Sequence, residues 1–189
     1  MCIRDRLHPE NAGIAVNERG AIVVDKRLHT TADNIWAMGD VTGGLQFTYI
    51  SLDDYRIVRD ELLGEGKRST DDRKNVPYSV FMTPPLSRVG MTEEQARESG
   101  ADIQVVTLPV AAIPRARVMN DTRGVLKAIV DNKTQRMLGA SLLCVDSHEM
   151  INIVKMVMDA GLPYSILRDQ IFTHPSMSES LNDLFSLVK

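Results

Sequence analysis

Cysteine is almost missing: the 189 residues hold only Cys2 and Cys144, and no CxxC or similar close pair exists. A disulfide framework is thereby excluded, and a reducing, cytoplasmic setting is expected. No apolar run approaches the ~20 residues that a membrane span needs. The first residues, Met1 to Arg6, are charged and lack the apolar stretch of a secretory signal. No basic stripe runs along the chain and the formal net charge is -3, which argues against a nucleic-acid partner. Glycines 39 to 44 are not followed by Gly-Lys-Ser/Thr, so no phosphate-binding P-loop is present. Internal repeats and low-complexity tracts are also lacking. What remains is ordinary globular composition, 43% hydrophobic and 25% charged, with room for one large or two small domains.

The opening residues 1–6 connect to nothing that follows and are read as a non-native leader. Asn17 to Gly20 signals a turn. Ala21 to Asp25 is a short β-branched run, and Ile35 to Met38 a second apolar run that stops at Gly39-Asp40; both are expected strands. Thr48 to Leu63 has helical spacing, with Tyr55, Val58 and Leu62 on one face. From Gly64 to Asn75 the chain is charged and glycine-containing with little that is apolar. The expected division is therefore residues 7–66 as the end of one domain, 67–75 as linker and 76–189 as a second domain.

The second domain has different grammar. Strands are expected at Tyr78–Met82, Leu86–Gly90, Ile103–Val110, Gly124–Val130 and Met137–Cys144, the last two forming a hairpin around Asp131-Asn132-Lys133-Thr134. Thr92 followed by Glu93 and Glu94 opens a helix that Gly100 ends. Further helices are expected at Ser147–Ala160, Pro163–Gln170 and Asn182–Val188. Hairpin strands with helices on one face make an α+β layer structure.

Two strings carry chemistry. In the first, Thr30 to Asp40, a strand ending in Gly39-Asp40 presents a carboxylate at a sheet edge, where ligands of open α/β sheets bind. Asp40 as a simple turn or helix cap is the competing reading. In the second, Phe172 to Glu179, Ser176 and Glu179 have the S-x-x-E spacing of a capping box. On that reading Glu179 only caps the helix that follows, and His174 is merely a residue before it. Cys144 and His148 are four apart, but no third ligand is nearby, and a buried inert thiol is the reading preferred. Arg115 and Arg117 are read as a solvated loop, and the ten methionines as core.

These strings resemble the pyridine nucleotide–disulfide oxidoreductase family, in particular its mercuric reductase-like branch. Thr30 to Asp40 resembles the second FAD-binding motif, T-x-x-x-x-Φ-Φ-A-x-G-D. Phe172 to Glu179 resembles the C-terminal His-Pro-Thr/Ser-x-x-Glu signature. Pro77 to Glu93 resembles the opening of the dimerisation domain. The resemblance implies a C-terminal piece of an FAD-binding α/β domain followed by an α+β dimerisation domain with an antiparallel sheet. It implies that Gly39, Asp40, Phe47 and Thr48 face FAD, Asp40 through the ribityl hydroxyls, with the following helix pointing its N-terminus at the flavin ring. It implies that His174 is the acid/base for the partner subunit's interchange thiol and that Glu179 orients it. The implied partners are a second copy of the chain and the upstream FAD and NAD(P) domains. The implied activity is NAD(P)H-dependent reduction of a disulfide-like compound, a reactive oxidant or a metal ion such as Cu(II). No resident metal is expected. The residues here include neither a G-x-G-x-x-G for the FAD pyrophosphate nor a redox cysteine pair, so the chain alone is expected to be inactive. An inert dimerisation module is the alternative.

Overall fold

A computed structural model of the chain describes residues 6–189; of the expected leader only Arg6 lies among the described residues. The chain divides into two compact units, Met1–Lys74 and Asn75–Lys189.

The first unit is organised on helix α1 (Thr48–Leu63), whose buried stripe is Ile50, Asp54, Ile57 and Val58. Ile57 and Val58 pack with Leu28, Val24 and Trp36. Tyr55 and Leu62, expected on the buried face, are instead 49% and 54% exposed. The cause is Asp54. A carboxylate in the stripe counts against burial in any hydropathy pattern, which moves the inferred face one residue round the helix. The expected strands at 21–25 and 35–38 are also reduced. Each makes a single isolated bridge, Val16 with Ile22 and His29 with Trp36. Their other backbone bonds go to scattered loop partners rather than to a ladder, as in Val23 N–H to the Ala15 carbonyl and Ala37 N–H to the Leu28 carbonyl. Among the described residues no neighbour offers a longer ladder.

The charged stretch read as a linker is tied to α1. Asp60 accepts the backbone N–H groups of Lys67 (2.7 Å) and Arg68 (2.9 Å). Ser69 and Asp72 form a reciprocal capping box around a short 3-10 turn. Arg73 then pairs with Asp53 at 2.7 Å and with Asp54. For Asp53, burial pushes the carboxyl up, but the hydrogen bonds and charges of Arg73 and Arg68 outweigh it and leave it below the usual range. Asp60 is held low chiefly by the Arg68 N–H. Folded values below the unfolded value of about 4 mean that both carboxylates contribute stability above that pH, and that it is lost as pH falls through the folded values. The unfolding midpoint of this unit, read from Trp36, the one tryptophan, is therefore expected to be flat near neutrality and to drop below about pH 4. Asp53→Asn should flatten that acid limb. An acid limb as steep in the variant as in the parent would contradict the assignment.

The second unit is a five-stranded antiparallel sheet in the order β1-β2-β5-β4-β3. Its strands are β1 (Tyr78–Val80), β2 (Leu86–Gly90), β3 (Ile103–Pro109), β4 (Val125–Asp131) and β5 (Met137–Leu143). Alternation fixes the register. Leu126, Ala128, Val130, Ala140, Leu142 and Val89 point into the main core. Tyr78, Arg88, Ser141, Lys127 and Thr107 line up across the opposite face. There the Arg88 guanidinium donates to Ser141 (3.1 Å) and to Tyr78 (3.2 Å). Helix α2 (Glu93–Glu98) starts from Thr92, which forms a capping box with Gln95, and its Glu93 pairs with Lys127. Helix α3 (Pro114–Val118) is a single turn. Helices α4 (Ser147–Asp159), α5 (Ser165–Asp169) and α6 (Ser180–Ser186) supply the core with Met150, Ile151, Val154, Leu167, Leu181, Leu184 and Phe185. This sheet with its helix layer bears out the α+β expectation. β1 is shorter than expected because the chain turns back at its end, where Met82 N–H reaches the Val80 carbonyl.

Candidate functional site

The segment between α5 and α6 is built to present one imidazole. Asn182 in α6 points its side-chain amide at the carbonyls of Leu167 (2.7 Å), Arg168 (3.0 Å) and Gln170 (3.0 Å), which secures the end of α5. Met177, 3% exposed, anchors the other side in the core. Between these fixed points His174 stands out, its side chain 71% exposed. The His174-Pro175 peptide is cis.

Glu179 serves two groups with its two oxygens. Oε1 accepts the Ser176 N–H at 3.3 Å, while Ser176 Oγ accepts the Glu179 N–H at 3.2 Å. That is the reciprocal pairing of a capping box. Oε2 lies 2.9 Å from His174 Nδ1. The two readings of the string are thus compatible. A carboxylate only accepts, so Nδ1 carries the proton in the neutral ring. Nε2 then holds an exposed lone pair, and the ring is oriented by an anchored acid. A ring so held can take up or release a proton at Nε2.

In the first unit, Gly39–Thr42 is a 3-10 turn. Gly39 has φ +72°, and a Cβ there would lie 2.8 Å from Ser51 Oγ, so a side chain at this position is both strained and crowded. The turn is braced by Thr42 Oγ1 donating to the Gly39 carbonyl (2.9 Å) and by Ile22 N–H donating to the Val41 carbonyl (2.9 Å). Asp40 is exposed, and its carboxylate accepts no hydrogen bond among the described residues. Phe47 precedes α1 and stacks on Tyr49 with centroids 5.1 Å apart. With Gly43, Gly44, Asn17 and Ala21 it lines an open concavity. Thr48 is the exposed first residue of α1. Ser51, one turn in, brings the start of α1 against the Gly39 turn. The turn therefore fits a bulky polyol-bearing cofactor: close backbone approach, a free carboxylate and a helix N-terminus adjoin. These features suit FAD as the resemblance requires.

Asp54 was missed in the sequence. Only 2% exposed, it accepts the Gly39 N–H at 2.7 Å. The signal for it was an acid spaced helically between Ile50 and Ile57, where packing alone would select an apolar residue.

Cys144 is not part of a metal site. It is fully buried with Sγ 3.8 Å from Met150 Sδ, and burial pushes its thiol up to about 12. His148 packs edge-on against Phe81 instead. Among the described residues no three His, Cys, Asp or Glu side chains group to hold a metal ion, and no helix is long and apolar enough to cross a membrane.

Comparison with known proteins agrees with this geometry. The family model for the pyridine nucleotide-disulphide oxidoreductase dimerisation domain matches residues 76–185. That for pyridine nucleotide-disulphide oxidoreductase matches residues 3–54. Mercuric reductase of Staphylococcus aureus is 35% identical over 177 residues, covering 94% of this chain and 32% of that protein. Dihydrolipoyl dehydrogenase of Mycobacterium tuberculosis is 31% identical over 176 residues, covering 93% of this chain and 38% of that protein. Among solved structures, the Cu(II) complex of the HOCl-induced flavoprotein disulfide reductase RclA from Escherichia coli is 99% identical with a TM-score of 0.96. It covers 97% of this chain and 42% of that one. LpdA from Mycobacterium tuberculosis, 23% identical with a TM-score of 0.86, shares the fold. The chain thus spans less than half the length of these relatives.

Proposed function

The chain belongs to the pyridine nucleotide-disulphide oxidoreductase family, and on that premise we propose that it forms the C-terminal portion of a homodimeric, FAD-dependent reductase. The observation that carries the reading is the divided carboxylate of Glu179, which orients His174 while leaving Nε2 exposed.

In this reading His174 Nε2 takes the proton of the partner subunit's interchange thiol, leaving the nucleophilic thiolate, and returns it when the thiol re-forms. Glu179 holds the ring tautomer and steadies the imidazolium. Asp40 accepts hydrogen bonds from the ribityl hydroxyls, while Gly39 permits close backbone approach and Phe47 and Thr48 border the flavin. FAD, when bound, supplies the electron relay between NAD(P)H and the acceptor.

The proposed acceptor is a disulfide-like compound, a reactive oxidant or Cu(II) as substrate; the 99% identical structures are those of a HOCl-induced flavoprotein disulfide reductase, one of them a Cu(II) complex, which supports the first and the last. A second reading, a dimerisation module without catalysis of its own, is favoured by one observation. The only described cysteine is buried Cys144, so the redox pair must come from residues beyond these.

The flavin half of the reading is tested by Asp40→Ala in the full-length holoprotein. Loss of hydrogen bonds from a charged acceptor should weaken FAD binding by about 10- to 100-fold, read as flavin fluorescence released on dilution. Unchanged retention would remove Asp40 from the cofactor site.

A further inference from the structure

We propose that Asp54 is a positioning residue for the flavin contact, fixing the direction of Asp40 by accepting the Gly39 N–H. The inference rests on the reading that Asp40 contacts FAD and assigns that site its internal support.

A buried carboxylate is costly unless it is paired and hydrogen-bonded. Asp54 sits in a stripe with Ile50, Ile57 and Val58, where an apolar side chain would pack without that cost. Its two partners account for it. One oxygen takes the Gly39 N–H at 2.7 Å, and the other meets the Arg73 guanidinium. The Gly39 N–H opens a 3-10 turn and so has no partner within it. Asp40 gets no help from its own side chain, which is exposed and unpartnered among the described residues. Its orientation therefore depends on the backbone of the turn. Ser51 closes on Gly39 from the same helix. Arg73 also bridges to Asp53 at 2.7 Å, so the residues following α1 neutralise the very carboxylate that holds the flavin-binding turn. Pairing a buried charge is weak evidence for stability; the role assigned to it in this proposal is to fix the geometry of the turn.

The test uses the full-length holoprotein with FAD as the probe, well below the unfolding temperature. Asp54→Leu, which matches shape but removes the acceptor, is expected to weaken FAD binding about tenfold or more. Asp54→Asn keeps an acceptor for Gly39 and should stay within about threefold of the parent. If Asp54 acts through Asp40, the Asp40→Ala/Asp54→Leu double variant binds FAD no more weakly than Asp40→Ala alone. Asp40→Ala weakening FAD while Asp54→Leu does not, or effects that simply add, would overturn the proposal. Asp40→Ala having no effect would instead sink the parent reading, by a separate measurement. Should the Leu variant not fold, hydrogen exchange at the Gly39 amide decides the matter. Protection kept in Asp54→Asn and lost in Asp54→Ser supports the assignment, and equal protection in both overturns it.

Discussion

Alanine at position 174 of the full-length flavoprotein is expected to slow the thiol-dependent half-reaction by about 10²–10⁴-fold, the usual contribution of a positioned acid/base. Folding and flavin content should be unchanged. The side chain is 71% exposed, and its one hydrogen bond is to Glu179, which keeps its reciprocal bonds to Ser176. Surface changes of this kind fall within about 0.5 kcal/mol. Rapid-mixing absorbance of the flavin with a disulfide acceptor separates this step from reduction by NAD(P)H, which should run at the parent rate. An unchanged thiol-dependent rate would leave Glu179 as a capping residue and His174 as a bystander.

Phe185→Ala is expected to destabilise the second unit by about 3–5 kcal/mol, the range for removing a buried phenylalanine. Phe185 is fully buried, one face of α6 against the sheet, with its ring 6.0 Å from that of Tyr164. Leu181 and Leu184 on the same helix are also fully buried, so the cavity has little freedom to collapse. The effect reaches the site, because α6 carries Asn182 and follows directly on Glu179. Urea unfolding followed by circular dichroism measures the loss. A variant within 1 kcal/mol of the parent would mean that α6 is not the anchor described here.

Much of the second unit was legible because its signals are local. β2 was expected at Leu86–Gly90 and is found there, and Thr92 with Gln95 caps α2. The apolar spacing of Met150, Ile151 and Val154 marks α4. α1 was legible in its ends but not in its buried face. Its decisive residue is an acid whose partners, Gly39 and Arg73, lie 15 residues before it and 19 after. No local pattern records that pairing. The strands expected at 21–25 and 35–38 are apolar enough to pair, but a ladder also needs a neighbour, and here each finds one bridge. At the site, the five-residue offset of His174 and Glu179 was visible. That one carboxylate could both cap and orient became clear only when its two oxygens were seen facing different partners.

The central claim is that His174 works in the partner subunit's site, and subunit complementation tests it most directly. A full-length His174→Ala subunit is paired with one whose redox cysteines are replaced by serine, each homodimer being inactive. If the site is shared, the heterodimer contains one wholly intact site and should recover about half the parent activity. A heterodimer as inactive as either homodimer would place His174 in its own protomer's chemistry.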